Sequence, residues 1–311
     1  MIRYREMRMI FTIIRDLLKS SSITRPGRVL PVIPVNFAAL DEQTGSVITW
    51  FGHSTVFVRL EGKRILLDPT FADKPSPFPL VGGKRFSRVL PVEPHSLPAL
   101  DAVIISHDHY DHLDYRSIMG LKDRTSLFFV PSGVAQRLKK WGVSPAKIRE
   151  CRWWDEEDLD GLKIICTPAR HFSGRGLFDR NTTLWSSWAL KGRQTKIFFS
   201  GDGGYGAHFA EIGAKYGPFD LTLMECGQYD KRWPDIHMLP EETVQAHRDV
   251  RGSLLVPIHW AAFSLAFHRW TDPVERMTKA AQASNTAVAT PKIGEPVIIG
   301  SADYPTARWW E

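Results

Sequence analysis

Hydrophobic and polar positions divide the chain into two tracts with different rhythms. Over the first 20 residues Met7, Ile10, Phe11, Ile13, Ile14, Leu17 and Leu18 recur at helical spacing. Arg3, Arg5, Arg8, Arg15 and Lys19 interleave them, so the pattern predicts a basic amphipathic helix. Residues 20–34, with three prolines and little periodicity, read as an arm. From Ser46 short β-rich runs take over. Residues 47–51, 55–60 and 63–68 read as three strands, broken by Gly52-His53-Ser54 and by the turn Glu61-Gly62. Strands are also expected at 102–105, 126–130, 162–167, 183–190, 195–199, 221–225, 254–258 and 297–299. Helices are expected at 114–121, at 133–141 with Ser132 as cap and Gly142 as stop, at 240–250 and at 273–283. Residues 71–98, rich in Pro, Gly and Ser, read as a long surface loop.

The order matters more than the individual elements. The first half is strand-heavy and then alternates strand and helix, and the second half repeats that order. Two sheets packed face to face with helices outside accommodate it, an α/β, four-layer αβ/βα sandwich. No linker divides the stretch 46–311, which is expected to form one domain preceded by a helix and arm over 1–45.

Candidate chemistry concentrates where apolar strands end. Ser106-His107-Asp108-His109-Tyr110-Asp111-His112-Leu113-Asp114 follows the run 102–105. His171, Asp202 and His259 each sit just past a further predicted strand. Residues at one edge of a sheet sandwich converge in space. Five imidazoles and two carboxylates suit two metal ions: His107, His109 and His171 on one, Asp111, His112 and His259 on the other, with Asp202 between. Two ions so held share and acidify a water, making hydroxide available as nucleophile, and polarise the scissile group. Asp68, at a strand end before Pro69, is placed either to orient a metal-bound histidine or to cap its own turn.

Composition narrows the field. Hydrophobic residues make up 43% and charged residues 24% of 311 residues, with a net charge of +6. That mild excess favours an anionic substrate or an anionic membrane surface. The basic residues are scattered without a nucleic-acid motif, so no nucleic-acid partner is expected. Cys151, Cys166 and Cys226 form no Cys-x-x-Cys pair, and they fit a reducing compartment better than a disulfide framework. No apolar stretch is long enough to span a bilayer. A cytoplasmic protein is expected, with the helix over 1–20 either touching a membrane surface, packing on the body or joining a second subunit.

The motifs Thr49-Trp50-Phe51-Gly52-His53-Ser54-Thr55-Val56, Leu67-Asp68-Pro69, Ser106 to Asp114, Pro168-Ala169-Arg170-His171, Leu184-Trp185-Ser186-Ser187-Trp188, Gly201-Asp202-Gly203-Gly204-Tyr205 and Ile258-His259-Trp260 resemble the metallo-β-lactamase superfamily. Within it they are most similar to the N-acyl-phosphatidylethanolamine phospholipase D branch, and more distantly to ascorbate-phosphate lactonase-like proteins. The resemblance implies the αβ/βα sandwich of that superfamily, two zinc ions (iron or manganese being alternatives) and hydrolase chemistry. It implies the same seven ligands, with Asp111 and Asp202 catalytic and with Asp68 and His53 supporting them. It places His237, His268, Tyr205 and Tyr229 on the substrate side. Asp108 stands where the phospholipase branch has Asn. A phosphodiesterase acting on a phospholipid is therefore expected, the alternative being a hydrolase of a small-molecule lactone, carboxylic ester or amide. A di-iron O₂-reducing protein fits less well, because it would carry a carboxylate at His109.

Overall fold

The computed structural model describes residues 23–76, 83–176 and 178–311. The amphipathic tract over 1–20 lies outside them. Among the described residues, β1 (Val47–Trp50), β2 (Val56–Leu60), β3 (Lys63–Leu67), β4 (Leu100–Ile104), β5 (Thr125–Pro131) and β6 (Ile148–Cys151) build one sheet. The late strand β14 (Pro296–Ile298) joins its edge beside β1. The second sheet holds β7 (Glu156–Leu159), β8 (Leu162–Thr167), β9 (Ser187–Lys191), β10 (Lys196–Phe199), β11 (Phe219–Glu225), β12 (Gly252–Ile258) and β13 (Ala287–Val288). Each sheet is antiparallel over one half and parallel over the other.

Side-chain alternation assigns the layers. On β4 and β5, Ala102, Ile104 and Phe129 face the core between the sheets, whereas Val103, Phe128 and Val130 pack outward. The outward set meets α1 (Phe37–Asp41), α2 (Tyr115–Leu121) and α3 (Ala135–Lys140) through Leu40, Ile118, Leu121 and Leu138. Strands buried on both faces read as unbroken apolar runs. Outside the second sheet lie α4 (His208–Tyr216), α5 (Pro240–Asp249) and α6 (Asp272–Ala283), which contribute Phe209, Ile212, Val244 and Met277 to the larger core. Fully buried Trp50, Trp188, Trp260 and Phe198 anchor that core, each contributing roughly 2–3 kcal/mol by area. The architecture is the expected four-layer αβ/βα sandwich.

Several boundaries differ from the expectation, for physical reasons. The segment before β9 was expected as strand from 183, yet pairing starts at Ser187. The Leu184 and Ser186 amides turn aside to the Ser132 and Ser106 carbonyls. Ser132 does not cap α3. Glu150 does so from a neighbouring strand, its Oε1 accepting from the amides of Gly133 (2.6 Å) and Ala135 (3.3 Å). Asp114 is the cap of α2 rather than its first residue, accepting from Ser117 N at 2.9 Å. β6 and β7 are polar edge strands, and α4 carries only a thin apolar stripe, so all three were missed. The tract 71–98 is not simply surface: Arg85, Phe86, Val92 and Leu97 are buried in it. No described helix is long and apolar enough to cross a membrane.

Candidate metal centre

Asp68 follows β3, the His107–His112 turn follows β4, His171 follows β8, Asp202 follows β10 and His259 follows β12. All five segments leave the C-terminal ends of their strands, the usual ligand-binding edge of an α/β sheet. Local backbone geometry supports this. Asp68 and His259 hold φ of +38° and +63°, which swings each side chain out of its strand direction. Gly201 precedes Asp202 at φ +57°. A Cβ there would lie 2.7 Å from the Ser186 carbonyl, so only glycine fits.

One subset is purely histidine. His107 Nε2 lies 2.8 Å from His109 Nδ1, which lies 3.3 Å from His171 Nε2. The outer nitrogens are fixed from behind, His107 Nδ1 by Ser106 Oγ (2.9 Å) and His171 Nδ1 by the Ile236 carbonyl (3.0 Å). Burial pushes the pKa of His107 and His171 well below the ordinary range, and that of His109 to about 4. Three neutral imidazoles that aim nitrogens at one point suit a cation.

The second subset carries carboxylates. His112 Nε2 is 3.0 Å from Asp202 Oδ2 and 3.4 Å from Asp111 Oδ2. His259 Nε2 is 3.1 and 3.5 Å from the same two atoms. Burial opposes charge on His112, but the Asp202 and Asp111 carboxylates outweigh it and hold its pKa well above the usual value. The same contest, led by Asp202, raises His259 to about 9. Both carboxylates stay far below their usual range despite burial, chiefly through His112. Asp202 joins the two subsets, its Oδ2 lying 4.0 Å from His107 Nε2.

Buried supports stand behind this second subset. Asp68, fully buried, accepts from Ser106 N (2.7 Å) and Ser106 Oγ (2.5 Å) and bonds His112 Nδ1 at 2.7 Å. Asp68 thus bonds the His112 ring and, at its positive φ, also turns the chain. His53 Nε2 bonds Asp111 Oδ2 at 2.8 Å, and burial together with His259 lowers its pKa to about 3. Glu225, the last residue of β11, went unnoticed in the sequence. It is fully buried and meets His237 Nδ1 (2.8 Å), Met238 N (2.7 Å) and His259 Nδ1 (3.4 Å). Its signal was available: a carboxylate closing an all-apolar strand, as elsewhere in this site.

The expected substrate-side residues separate. His237 lies in the cluster, its ring centroid 5.0 Å from that of His259 and 5.3 Å from that of His171. The other three have polar atoms engaged elsewhere. The Tyr205 hydroxyl donates to Asp249 on α5 at 2.6 Å. The Tyr229 hydroxyl donates to Asp272. His268 Nε2 accepts from Gln228 N at 2.9 Å while Nδ1 meets the Arg269 carbonyl at 2.9 Å. Tyr229 and His268 stack on each other at 4.5 Å rather than offering free groups.

Metal fit can be judged from the donors alone. His112 Nε2, His259 Nε2 and Asp202 Oδ1 are buried without a hydrogen-bond partner among the described residues. Unpaired buried polar atoms are costly, and the two imidazole nitrogens lie 3.0 and 3.1 Å from the other Asp202 oxygen, Oδ2. In both His53-Asp111-His112-His259 and His107-His109-His171, one ligand atom per residue lies within 4.8 Å of the others. The residues present fit divalent cations.

A model of the beta-lactamase superfamily domain matches residues 63–260. The chain belongs to the metallo-β-lactamase superfamily. An uncharacterized protein of Mycobacterium tuberculosis is 46% identical over 289 residues, covering 92% of this chain and 77% of its own. The N-acyl-phosphatidylethanolamine-hydrolyzing phospholipase D 1 of Caenorhabditis elegans is 33% identical over 283 residues, covering 86% of this chain and 79% of its own. That likeness puts this superfamily member in the phospholipase D-like branch. Among solved structures, the isothiocyanate hydrolase from Delia radicum gut bacteria superposes with a TM-score of 0.66 at 19% identity, over 82% of this chain and 100% of that one, and shares the fold. The chain is a metal-dependent hydrolase of the metallo-β-lactamase fold.

Proposed function

We propose that the protein is a binuclear, zinc-dependent phosphodiesterase acting on phospholipids of the N-acyl-phosphatidylethanolamine class. The observation behind the binuclear reading is the convergence of two donor sets on one shared carboxylate, Asp202. His107, His109 and His171 would hold one ion, Asp111, His112 and His259 the other, and Asp202 would serve both. Two ions there supply an acidified water and Lewis-acid polarisation of the phosphoryl group.

The remaining work falls to the chain itself. Asp68 holds the His112 ring by a hydrogen bond to Nδ1, and Glu225 makes a looser 3.4 Å ion-pair contact with His259 Nδ1, which leaves each Nε2 directed inward. His53 holds Asp111 Oδ2, the oxygen that faces His112 and His259. His237 has its Nδ1 proton held by Glu225, so its Nε2 is the group that protonates the departing alcohol as the phosphorus–oxygen bond breaks.

Kinship with the nematode enzyme and the loop after His171 support a lipid substrate. Phe172 packs on His109 (4.5 Å) and His171 (4.9 Å), Arg180 lies over Phe172, and Phe178 is 96% exposed. A bare aromatic in the loop that follows a ligand histidine suits a lipid interface. The test is metal content paired with hydrolysis of a soluble phosphodiester and of N-acyl-phosphatidylethanolamine in mixed micelles. About two zinc per chain with lipid cleavage supports the proposal. Two metals with cleavage of lactones or carboxylic esters alone would overturn the substrate and keep the site.

A further inference from the structure

Asp108 lies in sequence between two of the converging histidines, yet its carboxylate engages neither. It is fully buried, and each oxygen is committed elsewhere. Oδ1 accepts from Gly174 N at 2.8 Å, and Oδ2 accepts from Arg137 Nε at 2.9 Å and from its terminal nitrogen at 2.8 Å. Arg137, from α3, extends the same terminal nitrogen to Asp179 at 2.8 Å. Asp179 in turn accepts from the Arg175 and Gly176 amides. Arg175 completes the connection by donating to the Asp108 and Leu113 carbonyls, both at 2.7 Å, with its guanidinium 3.7 Å above the Tyr110 ring.

These bonds join two segments far apart in the chain, the His107–His112 turn and the loop that follows His171. The histidines they flank are those with the least support of their own. His109 and His171 are partly exposed, and no buried carboxylate like Asp68 or Glu225 stands behind them among the described bonds. Their 3.3 Å approach therefore depends on how the two backbones are held together.

We propose that Asp108 and Arg137 form a clasp that sets His109 against His171, and thereby the affinity of the histidine-only half for a divalent cation. Both are positioning residues. The inference rests on the metal-site reading above. The pair is chemically matched. An asparagine at 108 still accepts from Gly174 N, but its amide group turns N–H toward a guanidinium that has only N–H to offer. A glutamine at 137 restores an acceptor for it. The two positions should therefore be coupled, which a general loosening of the loop would not produce.

The experiment is a cobalt titration of the full chain, read by visible absorption because zinc is silent, for wild type, D108N, R137Q and the D108N/R137Q double variant. Metal-free thermal melts run alongside to check folding. The wild type should take up two ions. D108N should weaken one of them by about tenfold and leave the other unchanged. R137Q should weaken the same ion, and the double variant should recover most of the loss. D108N binding both ions like wild type, or a double variant no better than D108N, overturns the clasp while leaving the metal site standing. A wild type that binds no cobalt sinks the metal-site reading itself, and the clasp with it.

Discussion

The His107–His109–His171 half of the cluster and the Asp111–His112–His259 half use overlapping side-chain types in opposite surroundings. In the first, burial acts on imidazoles with few close carboxylates, and the rings stay neutral. In the second, burial acts equally strongly, but Asp111 and Asp202 lie within about 3–3.5 Å and reverse the outcome. Support differs in the same sense. His112 and His259 are braced by the buried carboxylates Asp68 and Glu225, His171 by a main-chain carbonyl. A half built with carboxylates and backed by carboxylates and a half of imidazoles braced by backbone should differ in affinity and in acid sensitivity. Asp202 is the side chain that makes them one site.

Removing that link should have the largest effect. Asp202→Ala should lower turnover by more than about a thousandfold and reduce metal retained after dialysis in both halves, as elemental analysis would read it. Retention of two ions with unchanged rate would break the picture of a shared carboxylate.

The claim that burial alone keeps imidazoles neutral can be checked away from the cluster, at His247. This buried ring bonds Thr222 Oγ1 at 2.7 Å, and burial lowers its pKa to about 4. Its folded pKa lies below the unfolded value, so between those two values the unfolded chain binds the extra proton and stability falls with falling pH. The loss should begin near pH 6.5, level off below about 4 and total on the order of 3 kcal/mol, absent in His247→Gln. Denaturant melts of both proteins across that range give the difference. Parallel pH profiles would mean that burial was not the cause.

Bracing can be tested one half at a time. Asp68→Asn and Glu225→Gln should each weaken metal binding about 10–100-fold, confined to the carboxylate half. Glu225→Gln should in addition lower turnover through His237, so its kcat should fall further than metal occupancy explains. Equal losses in both halves, seen in a cobalt titration, would argue for general unfolding instead. The smallest effect concerns the rim. Phe178→Ser should reduce turnover on vesicle-borne substrate several-fold more than on a soluble diester. Equal reductions would remove the lipid-contact role of that loop.

Much of this was legible because strand ends announce themselves. An apolar run closed by His or Asp marked His107, His171, Asp202 and His259, and the same signal was present but unread at Glu225. Tyr205, Tyr229 and His268 show where family likeness stops: it gives the neighbourhood of a residue but not the partner of its polar atom. Their partners, Asp249, Asp272 and the Gln228 amide, lie on other elements or are fixed by loop conformation. β6 and β7 were hidden because edge strands need no apolar periodicity.

The sequence alone determined the two-sheet sandwich and which donors could meet, since both follow from local periodicity and from the shared direction of strand ends. Only the tertiary structure decided which histidines lie against carboxylates, which carboxylates stand behind them and that Asp108 answers to Arg137. Those outcomes depend on distances of about 3 Å between residues separated by tens of positions in the chain. Electrostatic energy in a buried site varies so steeply with distance and solvent exposure that no local pattern encodes it.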